Sequence, residues 1–79
     1  PDPAKVRTYA DEVKAIMRRN PNHFGALSGY GQIYFQLEEY DQAIAWWRRA
    51  LEVNPNMLGV EINLRNAEQL LKERRGRST

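Results

Sequence analysis

The tripeptide Asn20-Pro21-Asn22 returns as Asn54-Pro55-Asn56, an offset of 34 residues in a chain of 79. A period of this length constrains the fold more than any other feature. A unit of roughly 20–50 residues is one supersecondary element, and it must stack on its neighbours to bury a core. The offset extends beyond the tripeptide. Moved by 34, Val6, Tyr9, Ala10, Val13, Ile16 and Met17 fall on Tyr40, Ala43, Ile44, Trp47, Ala50 and Leu51. Every pair is apolar, and the positions trace one face of an α-helix.

Four helices follow, at about 3–19, 22–37, 41–53 and 58–75. Asp2 is the expected N-cap of the first, with Pro3 in its opening turn. Asn20-Pro21 ends it, because a residue before proline is pushed out of the helical region. Asp41 is the expected cap of the third helix, and Asn54-Pro55 its end. Gly76 is expected to release a polar tail, 77–79, leaving 1–76 as one domain. Connections this short make successive helices antiparallel. The fold class is therefore all-α: an antiparallel helix-turn-helix solenoid fragment of four helices.

Leu27, Tyr30-Gly31, Tyr34, Tyr40, Ala43, Trp47, Ala50 and Pro55 have the spacing of a tetratricopeptide repeat, and 22–56 resembles one complete repeat. The stretch before about residue 20 resembles the second helix of a preceding repeat, with Tyr9 where a small residue is expected. Gly31 and Ala43 are expected to meet on facing helices, with Leu27, Tyr34, Trp47 and Leu51 around them. Inside a helix, glycine costs about 1 kcal/mol relative to alanine, so Gly31 needs such a packing reason. Gly29 lacks one and is expected to face a groove.

The fourth helix differs from the second. Shifted by 34, Leu27, Gly31, Tyr34 and Glu38 become Glu61, Arg65, Glu68 and Lys72, with acid and base in the favourable i,i+4 order. Ala26, Tyr30, Ile33 and Leu37 become Val60, Leu64, Ala67 and Leu71, which stay apolar. A helix with one apolar and one charged flank suits the end of a stack, where the outer side must meet water.

The resemblance implies a concave surface lined by the first helix of each repeat. By position it would hold Gly25, Ser28, Gly29, Gln32, Phe35 and Gln36, joined by Gly59, Ile62, Asn63, Asn66 and Gln69 from the capping helix. These positions carry no charge, so a Lys/Arg clamp on a C-terminal carboxylate is not supported. Amides can pair with the backbone of an extended peptide, and Phe35 or Ile62 can take an apolar side chain. Residues 22–37 contain no Asp, Glu, Lys or Arg in a chain that is 28% charged. Burial among the other helices accounts for that more simply than a groove does, although both can hold.

Trp47 falls on the core phase of the third helix, and Trp46, about 100° round, is expected to be half-exposed. His23 is the single histidine and has no partner for metal or acid–base chemistry. With no cysteine in the sequence, thiolate sites are also excluded. No catalytic constellation, metal site or cofactor is expected, and no apolar run is long enough to span a membrane. The net charge is +2. Lys14, Arg18, Arg19, Arg48 and Arg49 would lie on the convex side, but Glu12 and Glu52 interrupt them, which argues against nucleic acid as the partner. The expected role is a non-catalytic scaffold or adaptor that binds a protein or peptide. Homo-oligomers through open solenoid ends, or weak RNA and anionic-surface binding by the convex arginines, are the alternatives. A soluble, cytoplasmic setting is the expectation.

Overall fold

The structure is a computed structural model that describes residues 3–77. Four α-helices follow one another: α1 (Pro3–Arg19), α2 (Phe24–Gln36), α3 (Tyr40–Val53) and α4 (Leu58–Arg77). The all-α helical-repeat fold expected from the periodicity is what forms. Each helix packs on the next in sequence, so α2 is covered by α1 on one side and α3 on the other.

The echoed tripeptide builds the same turn twice. Asn20 Oδ1 accepts from the Asn22 amide at 3.2 Å, and Asn54 Oδ1 from the Asn56 amide at 3.3 Å. The Asn20 and Asn54 amides close the preceding helices on the Ile16 and Ala50 carbonyls, at 3.0 and 2.9 Å. Asparagine suits this place because its side chain substitutes for a backbone acceptor two residues on. Asn22 is thus spent on the turn, and α2 begins two residues later than the sequence suggests. Its N-cap is His23, whose Nδ1 accepts from the Ala26 amide at 3.1 Å.

The second turn has a different chemistry. Glu38 takes a left-handed φ of 60°. The Glu39 amide donates to the Tyr34 carbonyl at 2.9 Å and the Glu38 amide to Phe35 at 3.0 Å. This is a Schellman ending, with a glutamate where glycine is usual. Arg74 of α4 reaches back to it, donating to the Glu38 carbonyl at 2.7 Å while its guanidinium lies 4.6 Å from the Tyr40 ring centroid. A left-handed residue with a Cβ costs roughly 1–2 kcal/mol. Glu38→Gly is therefore expected to stabilise the protein by about 1 kcal/mol, read as a higher urea midpoint at unchanged slope.

Three boundary expectations are corrected. Asp41 does not cap α3: the N-cap is Glu39, without a side-chain bond, and α3 starts at Tyr40. Asp41 sits inside the first turn, where its Oδ1 accepts from the Gln42 amide at 2.9 Å and its charge faces the positive end of the helix dipole. Gly76 does not end α4, which runs on through Arg77. No glycine among the described residues has positive φ, so Gly76 never adopts the conformation that would stop a helix. Arg77 is therefore helical rather than part of a tail. The expected cap Asp2 and the residues Ser78 and Thr79 lie outside the described residues.

The core has two parts, and α2 belongs to both. Toward α1 it contributes Ala26 and Ile33, packed with Val13 and flanked by Val6, Ala10, Met17 and Tyr30. Toward α3 and α4 it contributes Leu27, buried with Tyr40, Ala43, Trp47, Ala50, Val60 and Ala67. Gly31 does not serve chiefly to admit Ala43. The atoms nearest to where its Cβ would stand all belong to the Trp47 indole, which occupies the missing side chain's place. Trp47 is 1% exposed, and its Nε1 donates to the Ser28 carbonyl at 3.1 Å.

The two flanks of α4 are as the 34-residue shift predicts. Val60 and Ala67 are buried, with Leu64 and Leu71 half-buried against the core. Arg65, Glu68 and Lys72 are exposed and Glu61 is half-buried. Glu61 pairs with Arg65 at 2.6 Å, but Glu68 turns back to Arg48 of α3, at 3.0 Å, rather than to Lys72. Both pairs are open to solvent and contribute at most about 1 kcal/mol each.

Candidate functional site

The residues expected on the concave surface separate by what they touch. Gly25 lies at the start of α2, exposed, where a Cβ would come within 3.1 Å of His23 Cε1. Its lack of a side chain makes room for the capping imidazole. Gly29 is buried, and a Cβ there would meet Tyr9 Oη at 2.8 Å and Val13 at 3.3 Å. It faces α1, not an open groove. Tyr9 is large where a small residue was expected, and Gly29 is the compensating void.

Phe35 is half-buried and packs on the core cluster, its ring centroid 5.6 Å from Trp47 and 5.4 Å from Tyr40. It is a wall of the core more than a free-standing anchor. Ser28 and Gln32 are half-buried, and Gln36 is exposed. On α4, Gly59, Ile62, Asn63, Asn66 and Gln69 are all exposed, Ile62 to 47%.

The amides are the distinctive part of this set. Gln69 Nε2 donates to Glu73 at 3.3 Å. The side chains of Gln32, Gln36, Asn63 and Asn66 make no hydrogen bond to any described residue. Each carries two donors and an acceptor that no described residue satisfies. Two uncharged strips result, one along α2 and one along α4, with Ile62 the open apolar side chain between Asn63 and the N-terminal turn of α4.

Other sequence candidates resolve into structure. His23 acts as a helix cap, a use that its isolation from carboxylates left unforeseen. Trp46 is half-buried, as its phase implies, and stacks on Tyr30 at 4.7 Å between centroids. Arg49 lies 5.1 Å from the Trp46 ring, so one of the arginines expected on the convex side is engaged by an aromatic face. Among the described residues, no group of three His, Cys, Asp or Glu could hold a metal ion. No helix of the described residues is long and apolar enough to cross a membrane.

One comparison with known proteins agrees with this geometry. A family model described as tetratricopeptide repeat matches residues 26–57, from the third residue of α2 to the turn before α4. No curated protein and no solved structure matches the chain. Repeats of this family generally mediate protein–protein interaction. The matched stretch holds Leu27, Gly31, Trp47 and Ala50 in one buried cluster or against it; the first Asn-Pro turn precedes it and the second closes it. Residues 26–57 of this chain fit a tetratricopeptide repeat, set in a four-helix frame.

Proposed function

We propose that the chain is a protein-interaction module that takes an extended peptide segment across the uncharged strips of α2 and α4. The unengaged amides of Gln32, Gln36, Asn63 and Asn66 carry this reading. A strand-like peptide presents alternating backbone N–H and C=O groups, and side-chain amides match both. Ile62 supplies the apolar contact, with Ser28 beside Gln32 as a further hydroxyl. Gly25, Gly29 and Phe35 leave the proposed contact set, since the helix cap, Tyr9 and the core explain them.

The test begins with a displayed library of random peptides selected on the whole chain. For peptides so obtained, Gln32→Ala with Asn63→Ala is expected to weaken binding at least tenfold, and Ile62→Ala similarly. Being changes at or near the surface, these should alter stability by no more than about 0.5 kcal/mol each. Arg48→Ala with Arg49→Ala serves as the control on the opposite side. Binding that survives the amide substitutions and fails in the arginine control would refute the assignment.

A further inference from the structure

The side of α2 that faces away from Gln32 and Gln36 carries a second surface. Tyr30 and Tyr34 lie one turn apart there, with Leu37 a further turn on, and α1 runs alongside. Two open clefts meet along this seam. One encloses about 310 Å³ and is lined by Val6, Arg7, Lys14, Tyr30, Tyr34 and Leu37 among others. The other, about 360 Å³, shares Lys14, Tyr30 and Tyr34 and adds Met17, Arg18 and Trp46. Three mutually tilted rings form its back wall, Tyr30 lying 6.5 Å from Tyr34 and 4.7 Å from Trp46.

The charges along the rim are mainly basic, with Asp11 the acidic residue on the same stripe of α1. Arg7, Lys14 and Arg18 are exposed, and none forms an ion pair or hydrogen bond with a described residue. On α3 and α4, by contrast, Arg48 pairs with Glu68, Arg65 with Glu61 and Arg77 with Glu73. Asp11 is the acidic group that faces Tyr30 from α1, against Arg18. Burial raises the Tyr30 phenol above its usual value of 10.0, with Tyr34 and Asp11 adding to the rise and Arg18 opposing it. A phenol kept protonated is a hydrogen-bond donor, and neither the Tyr30 nor the Tyr34 hydroxyl donates to any described residue.

We infer that this α1–α2–α3 seam is a second peptide-binding site, for an acidic segment whose carboxylates meet Arg7, Lys14 and Arg18 while interleaved apolar side chains enter the aromatic-lined clefts. Dimensions fit that occupant. From Val6 to Arg18 the helix rises about 18 Å, the span of roughly five or six extended residues. Lys14 and Arg18 are about 6 Å apart along the axis, close to the distance between every second residue of a strand. Alternating acid and apolar residues would therefore place charge on the rim and hydrocarbon against the rings. This site is separate from the amide strips, on the other face of α2, so either can fail without the other.

The experiment uses the whole chain, isotopically labelled, and three probes: an end-blocked eight-residue peptide alternating Glu with Leu and Phe, the same peptide with Lys for Glu, and an eight-nucleotide uridine RNA. The Glu peptide is expected to shift the Trp46 indole and the amides of Lys14, Arg18 and Tyr34 in heteronuclear NMR spectra. Lys14→Glu with Arg18→Glu should weaken it at least tenfold, and the neutral pair Lys14→Gln with Arg18→Gln should weaken it less. Arg65→Glu on α4 should leave it unchanged. The proposal is overturned if millimolar Glu peptide shifts nothing, if the Lys peptide binds equally, or if the shifts fall on α4. It is also overturned if the RNA perturbs the same residues more strongly, which would make the rings a stacking platform for bases.

Discussion

Trp47→Ala is expected to cost about 3–5 kcal/mol, the range for truncating a fully buried large aromatic side chain. Domains of this size hold roughly 0.05–0.15 kcal/mol per residue, so that loss takes a large part of the total. The indole is 1% exposed and touches both helices of the repeat. It occupies the void over Gly31 and carries the hydrogen bond to the Ser28 carbonyl. Trp47→Phe separates the two contributions: most of the volume stays, and one hydrogen bond worth about 0.5–1.5 kcal/mol goes. Urea unfolding followed by far-ultraviolet circular dichroism measures both. A loss below about 1 kcal/mol for alanine would mean that the packing of α2 on α3 is not as described.

Gly31→Ala should destabilise the protein by about 1–3 kcal/mol, although the same change in most helices is favourable by about 1 kcal/mol. The sign reverses because the new methyl group would enter the Trp47 ring, a rigid neighbour fixed by its own hydrogen bond. Gly59→Ala, with nothing within 4 Å, is the internal control and should show the ordinary gain. Gly29→Ala falls between them, because the obstructing atom is the hydroxyl at the end of a half-exposed Tyr9, which can swing aside. Thermal unfolding of the three variants ranks them directly. If Gly31→Ala were as stable as Gly59→Ala, the fit of Trp47 over Gly31 would be wrong.

Local chemistry and periodicity accounted for most of the fold. The Asn-Pro stops mark the ends of α1 and α3, and the 34-residue shift gives the buried and charged flanks of α4. Phase alone separates Trp46 from Trp47. What escaped the sequence depends on partners distant in the chain. Tyr9 over Gly29 is an exchange of volume between helices that neither position reveals by itself. Arg74 finds the Glu38 carbonyl 36 positions back, and nothing local to either residue indicates it. His23 as a cap is concealed because histidine is an uncommon one, and the turn that sets it depends on Asn20. Of the expected groove, Gln36, Ile62, Asn63 and Asn66, placed there by the resemblance to the repeat, are exposed. The packing of half-buried Phe35 on Tyr40 and Trp47 was not legible, because both partner rings belong to α3.

The uncharged second helix has a consequence for how the protein is made. Residues 22–37 bear no charge of either sign, and α2 is protected only by what docks on it. During synthesis α1 is available first, but it shares only one of α2's apolar sides. Leu27 and Gly31 stay uncovered until α3 emerges with Trp47, and transiently exposed apolar surface of this kind is where chains associate wrongly. The charged flanks of α1, α3 and α4 thus act as a solubilising jacket for a helix whose own open polar side chains, Ser28, Gln32 and Gln36, are uncharged. Conditions that delay or loosen α3 would be felt first as aggregation, before any loss of helix content.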